Sequence, residues 1–202
     1  MGLHKHSFTL IEILVVIAII GILASILFPV LLGVGEQGRK TETQTLVNGV
    51  RQAVMQYKSE YFSLPNPRGD SGDSKIGGFD ANNHRKIGDT NYYTFFDILT
   101  YSNHSDKDGD PSSAAQKQNP KGISFLTPTK SYFDKNNETN GIRDSWHQPL
   151  EVHMDYSGDG KVDLGTNYGS FSGTHKAECV VLSMGPQKGK GLNKGIYISS
   201  SK

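Results

Sequence analysis

The feature that most constrains this chain is an apolar run near its N-terminus, residues 8–28, in which Glu12 is the one ionisable side chain. A helix of about 20 residues reaches about 30 Å, which matches the hydrocarbon thickness of a bilayer. The sequence therefore predicts a transmembrane helix over residues 8–28. A conventional cleaved signal peptide fits less well, because its apolar region is shorter, at roughly 7–15 residues.

Glu12 lies near the start of this run, where a carboxylate is costly to place in lipid, by up to about 3 kcal/mol at the centre of a span. A charge inside a membrane is expected to have a partner of opposite sign, and the run itself offers no cation. The α-amino group that cleavage before Phe8 would create on a neighbouring subunit could serve. The alternative is an ordinary signal anchor in which Glu12 snorkels to the interface.

Residues 7–12, SFTLIE, and the apolar run after them resemble the N-terminus of type IV pilins and type II secretion pseudopilins. A short leader with Lys5 precedes them, as in that family. The resemblance implies that a prepilin peptidase cuts between Ser7 and Phe8 and N-methylates Phe8. It also implies that Glu12 neutralises the terminal amine of an adjacent subunit. The family usually has Gly before the cut, where this chain has Ser7.

The leader also predicts the orientation of the chain. Lys5 precedes the run and no acidic residue does, which favours a cytoplasmic N-terminus. The resemblance implies a single-pass protein of the bacterial inner membrane, with a periplasmic C-terminal domain, that later enters a filament. Its expected partners are prepilin peptidase, an inner-membrane assembly platform, membrane lipid, copies of itself and other pilin-like subunits. With no polybasic block, nucleic acid is not an expected partner.

A second helical pattern follows the apolar run. Pro29 and three glycines up to Gly38 lower the helix propensity, which predicts a kink at Pro29 or a segment that can melt and reform. Apolar residues then recur at steps of three and four, which is typical of one helix face. They are Val47, Val50, Val54, Tyr57 and Tyr61. The prolines that follow Leu64 are expected to end this helix.

The chain is thus predicted to have four parts. They are a leader at 1–7, a transmembrane or filament-core helix at 8–29, its amphipathic continuation at 30–64 and an extracytoplasmic α+β domain at 65–202. The expected fold class is α+β and type IV pilin-like, in which a long N-terminal helix packs on a small antiparallel sheet with long loops.

Three segments of the C-terminal domain have strand character, namely 149–155, 177–184 and 196–198. They suit a sheet with one face covered. The polar stretches 68–91 and 102–121 indicate exposed loops, and 92–99 between them favours a short helix. Cys179 stands alone, which excludes an intrachain disulfide and suits a small buried strand residue.

Residues 142–150, IRDSWHQPL, resemble the D-x-W-G-x-P segment of type II secretion major pseudopilins, with His147 in place of Gly. This favours the secretion branch over adhesive pili. Major pseudopilins commonly bind calcium in an acidic loop after the segment that corresponds to Val181–Pro186 here. The corresponding loop here, 187–194, has three lysines and no carboxylate, so we expect no calcium there.

Two other clusters rich in Asp and Gly are candidate calcium loops. Residues 155–163 resemble the start of an EF-hand loop, but Thr166 stands where the bidentate Glu is expected. The candidate ligands are Asp155, Ser157, Asp159 and Asp163 in this loop, and Asp106, Asp108 and Asp110 in the other. The alternative for both is a solvated turn, since Asp and Gly are preferred in turns. No other cofactor is expected.

The sequence has no G-x-S-x-G, no H-E-x-x-H and no phosphate-binding loop, so we expect no enzymatic activity. A functional alternative from another class is a bitopic inner-membrane protein whose extracytoplasmic domain binds a ligand or hydrolyses one. The mature N-terminus discriminates between the two, because only a pilin-like subunit would lose its leader.

Overall fold

The structure, a computed structural model, describes residues 9–77, 90–128, 130–133, 141–166, 168, 171–186 and 198–199. Its helices are α1 Leu10–Tyr61, α2 Thr90–Thr100, α3 Ser113–Gln118 and a 3-10 turn at Lys130–Phe133. Its strands are β1 Ser74–Gly77, β2 Glu151–Met154, β3 Val162–Asp163, β4 Thr174–His175, β5 Cys179–Ser183 and β6 Ile198–Ser199. The predicted α+β class, with a long N-terminal helix followed by a small antiparallel sheet, is confirmed.

The chain divides into two compact units, Met1–Arg39 and Lys40–Lys202. The described part of the first unit is the N-terminal part of α1, a 52-residue helix that continues through Pro29. The helix is continuous at Pro29. A bend of the helix axis at this residue stays a prediction. The helix ends at Tyr61 rather than at Leu64, because Phe62 adopts a left-handed φ of 55°.

The second unit is built on the rest of α1. The predicted apolar face of α1 is buried in the core of this unit. Four of its residues are at most 2% exposed, namely Val47, Val50, Val54 and Tyr57. Tyr61 is only partly buried at the edge of the same cluster. Residues three and four apart share a helix face, so one stripe of α1 covers the sheet residues Ile76, Val152, Met154, Cys179 and Val181.

The sheet has four antiparallel strands in the order β1-β2-β5-β6. Val152 in β2 pairs with Ile76 of β1 on one side and with Val181 of β5 on the other. The strands predicted within 149–155 and 177–184 are confirmed. The prediction of an exposed loop over all of 68–91 is wrong at Ser74–Gly77, because this short segment gains its backbone hydrogen bonds from β2.

Both faces of the sheet are covered, contrary to the expectation of one covered face. Every residue of β2 and β5 is buried. On the face away from α1, Val180 and Leu182 pack against Val162, Leu164 and Tyr168. The covering residues come from the small β3–β4 hairpin and the segment between its strands, which the sequence analysis did not predict. The second face is therefore a separate, smaller apolar cluster.

The helix predicted at 92–99 is confirmed as α2, whose Phe95, Phe96, Ile98 and Leu99 are fully buried. Helix α2 packs on β1. At the end of β1, Gly77 has φ of 77°, and a Cβ added to this residue would lie 2.3 Å from Leu150 O. The predicted loop at 102–121 contains α3, so that prediction is wrong there. Ser112 caps α3 by accepting a hydrogen bond from the Ala115 N–H.

Candidate functional site in the N-terminal helix

The first turn of α1 is closed by reciprocal hydrogen bonds between Thr9 and Glu12. The Thr9 N–H and the Thr9 hydroxyl donate to Glu12 Oε2 at 2.7 and 2.8 Å. In return, the Glu12 N–H donates to Thr9 Oγ1 at 3.4 Å. This is a capping box, in which two helix-terminal amides without intrahelical partners are satisfied by the opposite side chain. The sequence analysis missed it, although the Thr-x-x-Glu spacing is its signal.

The capping box uses only one side of the Glu12 carboxylate. Oε2 accepts both bonds from Thr9, and no bond from the described residues reaches Oε1. An ionised carboxylate has about four acceptor sites on its two oxygens. Glu12 can therefore cap its own helix and still accept a hydrogen bond from a cation outside the chain. The structure brings no such cation to it from the described residues.

The apolar side chains that follow are exposed on every side of the helix. The large apolar residues from Leu10 to Ile26 have exposed fractions between 48% and 83%. Four consecutive residues, 14–17, all belong to this set, so the exposed apolar side chains are not confined to one face of the helix. An apolar surface this continuous is unusual on a protein that is alone in water and marks an interaction surface.

The predicted span at 8–28 is not confirmed as a membrane helix. Judged on the described residues alone, none of the helices is at once long enough and apolar enough to cross a membrane.

Residues 3–28 match the model of the prokaryotic N-terminal methylation motif. The match includes Ser7, Phe8 and Glu12 and ends where the apolar run ends. This motif implies processing by prepilin peptidase and assembly into pilin-like filaments, and it supports a type IV pilin-like subunit. No curated protein and no solved structure matches the chain. Ser7 and Phe8 themselves lie outside the described residues.

The segment that resembles the D-x-W-G-x-P pattern forms a turn organised by Asp144. Its Oδ1 accepts from the backbone N–H groups of Trp146 and Gln148, and its Oδ2 accepts from the Ser183 hydroxyl at 2.6 Å. His147 has φ of 60°, in the left-handed region. Glycine adopts this region without strain, which explains why the pattern has Gly at this position.

This turn also contacts α1 within the second unit. The Ser145 N–H donates to Thr43 Oγ1 at 3.2 Å, and the Ser145 hydroxyl donates to Glu42 at 2.7 Å. Trp146 is partly buried against the main core cluster. The turn is therefore a structural element that joins α1 to β5.

The first candidate calcium loop is held by Asp155. Its Oδ1 accepts from the Ser157 hydroxyl and the Gly158 N–H, and its Oδ2 accepts from the Gly160 N–H at 2.7 Å. Burial acts to raise the pKa of Asp155, but these hydrogen bonds outweigh it and hold the pKa below its ordinary value. Both carboxylate oxygens are thus engaged by the loop's own donors.

The other acidic residues of this loop face local partners. Asp159 accepts from the Lys161 N–H, and Asp163 accepts from the Gly165 N–H. In the second loop, Asp106 accepts from the Asp108 N–H, and Asp106, Asp108 and Asp110 are all exposed. Across the described ranges, no three His, Cys, Asp or Glu side chains form a group that could hold a metal ion. These contacts support turns, and the calcium hypothesis gains no support from them. The loop 187–194 lies outside the described residues.

The sequence analysis missed two buried polar clusters. Asp97 is 1% exposed and accepts from the Tyr132 hydroxyl at 2.5 Å and from the His104 N–H at 2.8 Å. Its position inside the apolar run 92–99 was the available signal.

The second cluster lies on the sheet face away from α1. Glu151 is fully buried, and its Oε1 lies 3.0 Å from Lys75 Nζ. Its Oε2 lies 3.7 Å from His153 Nε2, and neither of these two atoms has a hydrogen-bond partner among the described residues. Lys75 and His153 face each other in neighbouring strands, which is why they converge on Glu151. No sequence pattern marked this cluster.

Proposed function

We propose that this chain is a structural subunit of a type II secretion pseudopilus or a related type IV pilus-like filament. The observation that carries the proposal is the methylation motif at 3–28, which coincides with a helix that exposes apolar side chains all round. In this proposal the helix anchors the precursor in the inner membrane. Prepilin peptidase then cuts before Phe8, and the helix leaves the lipid and packs against the same helix of other subunits.

The proposed role of Glu12 follows from its Oε1, which accepts no hydrogen bond from the described residues. In the filament, Glu12 Oε1 accepts a charge-assisted hydrogen bond from the N-methylated amine of Phe8 of a neighbouring subunit. The Thr9 contacts on Oε2 hold the carboxylate in place beforehand. The two roles are compatible because they use different oxygens.

Support for the secretion branch comes from residues 142–150. The segment resembles the major pseudopilin pattern, and its Asp144 ties the turn to Ser183 of β5. Its left-handed position is the one at which that pattern has glycine. We therefore favour a secretion pseudopilin over an adhesive pilin.

The first test of the proposal is the mass of the mature N-terminus, measured on protein from cells with an active prepilin peptidase. The expected result is loss of residues 1–7 and one added methyl group on Phe8. Retention of Met1 would contradict processing and favour the bitopic membrane protein with an extracytoplasmic binding or hydrolytic domain.

A second test separates the two roles of Glu12. Glu12→Gln keeps an oxygen that can accept from the Thr9 N–H but removes the charge, whereas Glu12→Ala removes both. If the charge pairs with a neighbouring amine, both variants lose filament assembly. Wild-type amounts of filament from Glu12→Gln, with a loss only in Glu12→Ala, would assign Glu12 to capping alone.

A further inference from the structure

Two Asp-Gly pairs lie in loops of the second unit, Asp108 with Gly109 and Asp159 with Gly160, and all four residues are exposed. An Asp-Gly pair can rearrange without an enzyme, because glycine has no Cβ to keep its nitrogen away from the preceding carboxyl group. By sequence and exposure, the 108–109 pair and the 159–160 pair are equivalent. The structure gives their glycine nitrogens different environments.

The rearrangement begins when the glycine nitrogen attacks Cγ of the preceding aspartic acid. The nitrogen loses its proton and the carboxyl group loses its hydroxyl, which leave together as water, and a succinimide ring remains. Water then opens this ring. Opening at the side-chain carbonyl restores aspartate, whereas opening at the main-chain carbonyl gives isoaspartate, in which the backbone runs through Cγ. The water gained equals the water lost, so the reaction needs no other reactant.

The fold hinders the first step at the 159–160 pair. The Gly160 N–H donates to Asp155 Oδ2 at 2.7 Å. The Asp159 carboxylate accepts from the Lys161 N–H at 2.9 Å, one residue beyond the nitrogen that would have to attack it. A hydrogen bond to a charged acceptor is among the stronger ones, and this one has to break before the Gly160 nitrogen can reach Asp159 Cγ.

No such bond holds the 108–109 pair. Among the residues that the structure describes, none accepts a hydrogen bond from the Gly109 N–H and none donates one to the Asp108 carboxylate. Asp108 is held through its backbone instead, since its N–H donates to Asp106 Oδ1 at 3.2 Å. The two reacting groups can therefore combine without first breaking a bond to a described residue.

The loop also requires glycine at position 109. A Cβ added to Gly109 would lie 2.9 Å from Asp106 Cβ, closer than such atoms approach in proteins. Any other residue would force the Asp106 side chain or the loop to move. The fold thus keeps the small residue that makes the 108–109 pair reactive.

We propose that Asp108 is a site of spontaneous isoaspartate formation in the folded protein, whereas Asp159 is protected from it. The product has one more backbone atom at residue 108 and carries its α-carboxylate as a side group, so the loop takes a different course after modification. The inference is independent of the proposed function, because it holds whether or not the chain assembles into a filament.

The test incubates the full chain in detergent, either folded in buffer or unfolded in guanidinium chloride, and measures isoaspartate peptide by peptide. Isoaspartate is detected by labelling with a protein isoaspartate methyltransferase and by electron-transfer fragmentation in the mass spectrometer. In the unfolded chain, both pairs are expected to react. In the folded chain, Asp108 should react at close to its unfolded rate. Asp159 should react at least about tenfold more slowly than when unfolded, because the Gly160 N–H must first leave a charged acceptor.

Two variants separate the chemistry from the fold. Asp108→Glu keeps the charge but would have to close a larger ring, so labelling at position 108 should be lost. Asp155→Ala removes the acceptor of the Gly160 N–H and should raise the folded rate at Asp159 at least about tenfold.

The wild-type comparison decides the inference even if Asp155→Ala does not fold. Protection of both pairs in the folded wild type, or equal folded rates at Asp108 and Asp159, overturns it. A folded Asp155→Ala variant in which Asp159 stays as unreactive as in wild type overturns it as well, because the hydrogen bond would then not be the cause of the protection.

Discussion

Three non-glycine residues of the described ranges have left-handed backbones, and each has a different environment. Tyr101 packs on Gly122, Phe62 points into solvent, and His147 is exposed in the turn that Asp144 organises. The His147 backbone is held on both sides, as its N–H donates to Asp144 O and its carbonyl accepts from Arg143. The turn therefore imposes the strain, and the histidine side chain does not offset it.

Replacing His147 by glycine should stabilise the protein. The substitution relieves left-handed strain of about 1–2 kcal/mol. The greater conformational entropy of glycine in the unfolded chain offsets about 0.5–1 kcal/mol of this gain. We expect a net gain of about 0.5–1 kcal/mol in the free energy of unfolding, measured by urea denaturation of the full chain in detergent. Tyr101→Gly, which relieves the same strain but loses a packed ring, should be destabilising. A His147→Gly variant less stable than wild type would contradict this account.

The buried Glu151 should make stability depend on pH. Burial raises the pKa of Glu151, but His153 and Lys75 outweigh it, so the pKa lies below the ordinary 4.5. A carboxyl with a lowered folded-state pKa stabilises the fold above its unfolded pKa, and this contribution is lost as the pH falls through the folded pKa. Because Lys75 is one-third exposed and can be hydrated, Glu151→Gln should cost about 1–3 kcal/mol at neutral pH, the range for a hydrogen bond to a charged group. The cost should fall as the pH drops below 4.5 and through the folded-state pKa.

The measurement is the urea midpoint of wild type and Glu151→Gln at neutral pH and at about pH 3. Glu178→Gln is the matched control, because the Lys58–Glu178 pair is about one-third exposed on both sides. That variant should lose less than about 1 kcal/mol. A gap between wild type and Glu151→Gln that stays constant with pH would contradict the proposed role of the ionised carboxylate.

At the scale of elements, the second half of α1 organises the second unit through tyrosines as well as valines. The Tyr57 hydroxyl donates to Gln118 O at 2.7 Å, and the Tyr61 hydroxyl donates to Asn119 Oδ1 at 2.6 Å. Asn119 in turn donates to Ile98 O and Ile123 O. The helix thereby holds the C-terminal end of α3 and the segment after it, which has little regular structure of its own.

Tyr57→Phe should weaken this connection without disturbing the core. Burial raises the pKa of Tyr57 to about 12, so its hydroxyl is a protonated donor throughout the ordinary pH range. Removing it leaves Gln118 O without this donor, and we expect a loss of about 1 kcal/mol in urea denaturation. Tyr101→Phe is the control, since no hydrogen bond of its hydroxyl is found within the described ranges. Equal stability of Tyr57→Phe and wild type would show that water replaces the bond at no cost.

At the scale of the whole molecule, the two units differ in how their apolar residues are covered. The second unit buries its apolar residues in two clusters on the two faces of one sheet. The described part of the first unit buries none, and its helix exposes large apolar residues from Leu10 to Ile26. Among the described residues, the continuous exposed apolar surface therefore lies in the first unit, whereas the second unit has buried apolar clusters of its own.

A charge placed in the first unit should therefore affect location and assembly rather than folding of the second unit. Ile17→Arg adds a cation to the middle of the apolar run, which costs about 2.5–3.5 kcal/mol at the centre of a membrane span. We expect the precursor to shift out of the membrane fraction and the filament yield to fall. Gln52→Arg, on the exposed side of α1 in the second unit, is the control and should fractionate as wild type does. Membrane-bound, fully assembling Ile17→Arg would contradict the proposed use of the helix.

Sequence reasoning succeeded where one local pattern decides the structure. The step of three and four residues located the buried face of α1, alternation located β2, and a short apolar run ended by Gly185 and Pro186 located β5. It failed at β1, α3 and the β3–β4 hairpin, which are short and polar. Such segments carry too few apolar residues to show a period, and their structure depends on partners distant in the chain, as Ser74–Gly77 depends on β2.

The sequence by itself determined the N-terminal motif, because an apolar run with Glu12 at its start is a local pattern that needs no partner to be read. It also determined that α1 has a buried face. The Thr9–Glu12 cap is a local pattern of the same kind. Only the tertiary structure decided that both faces of the sheet are covered and that Phe62 is strained and exposed. These features depend on distances between groups far apart in the chain and on backbone angles, which the order of the residues does not specify directly.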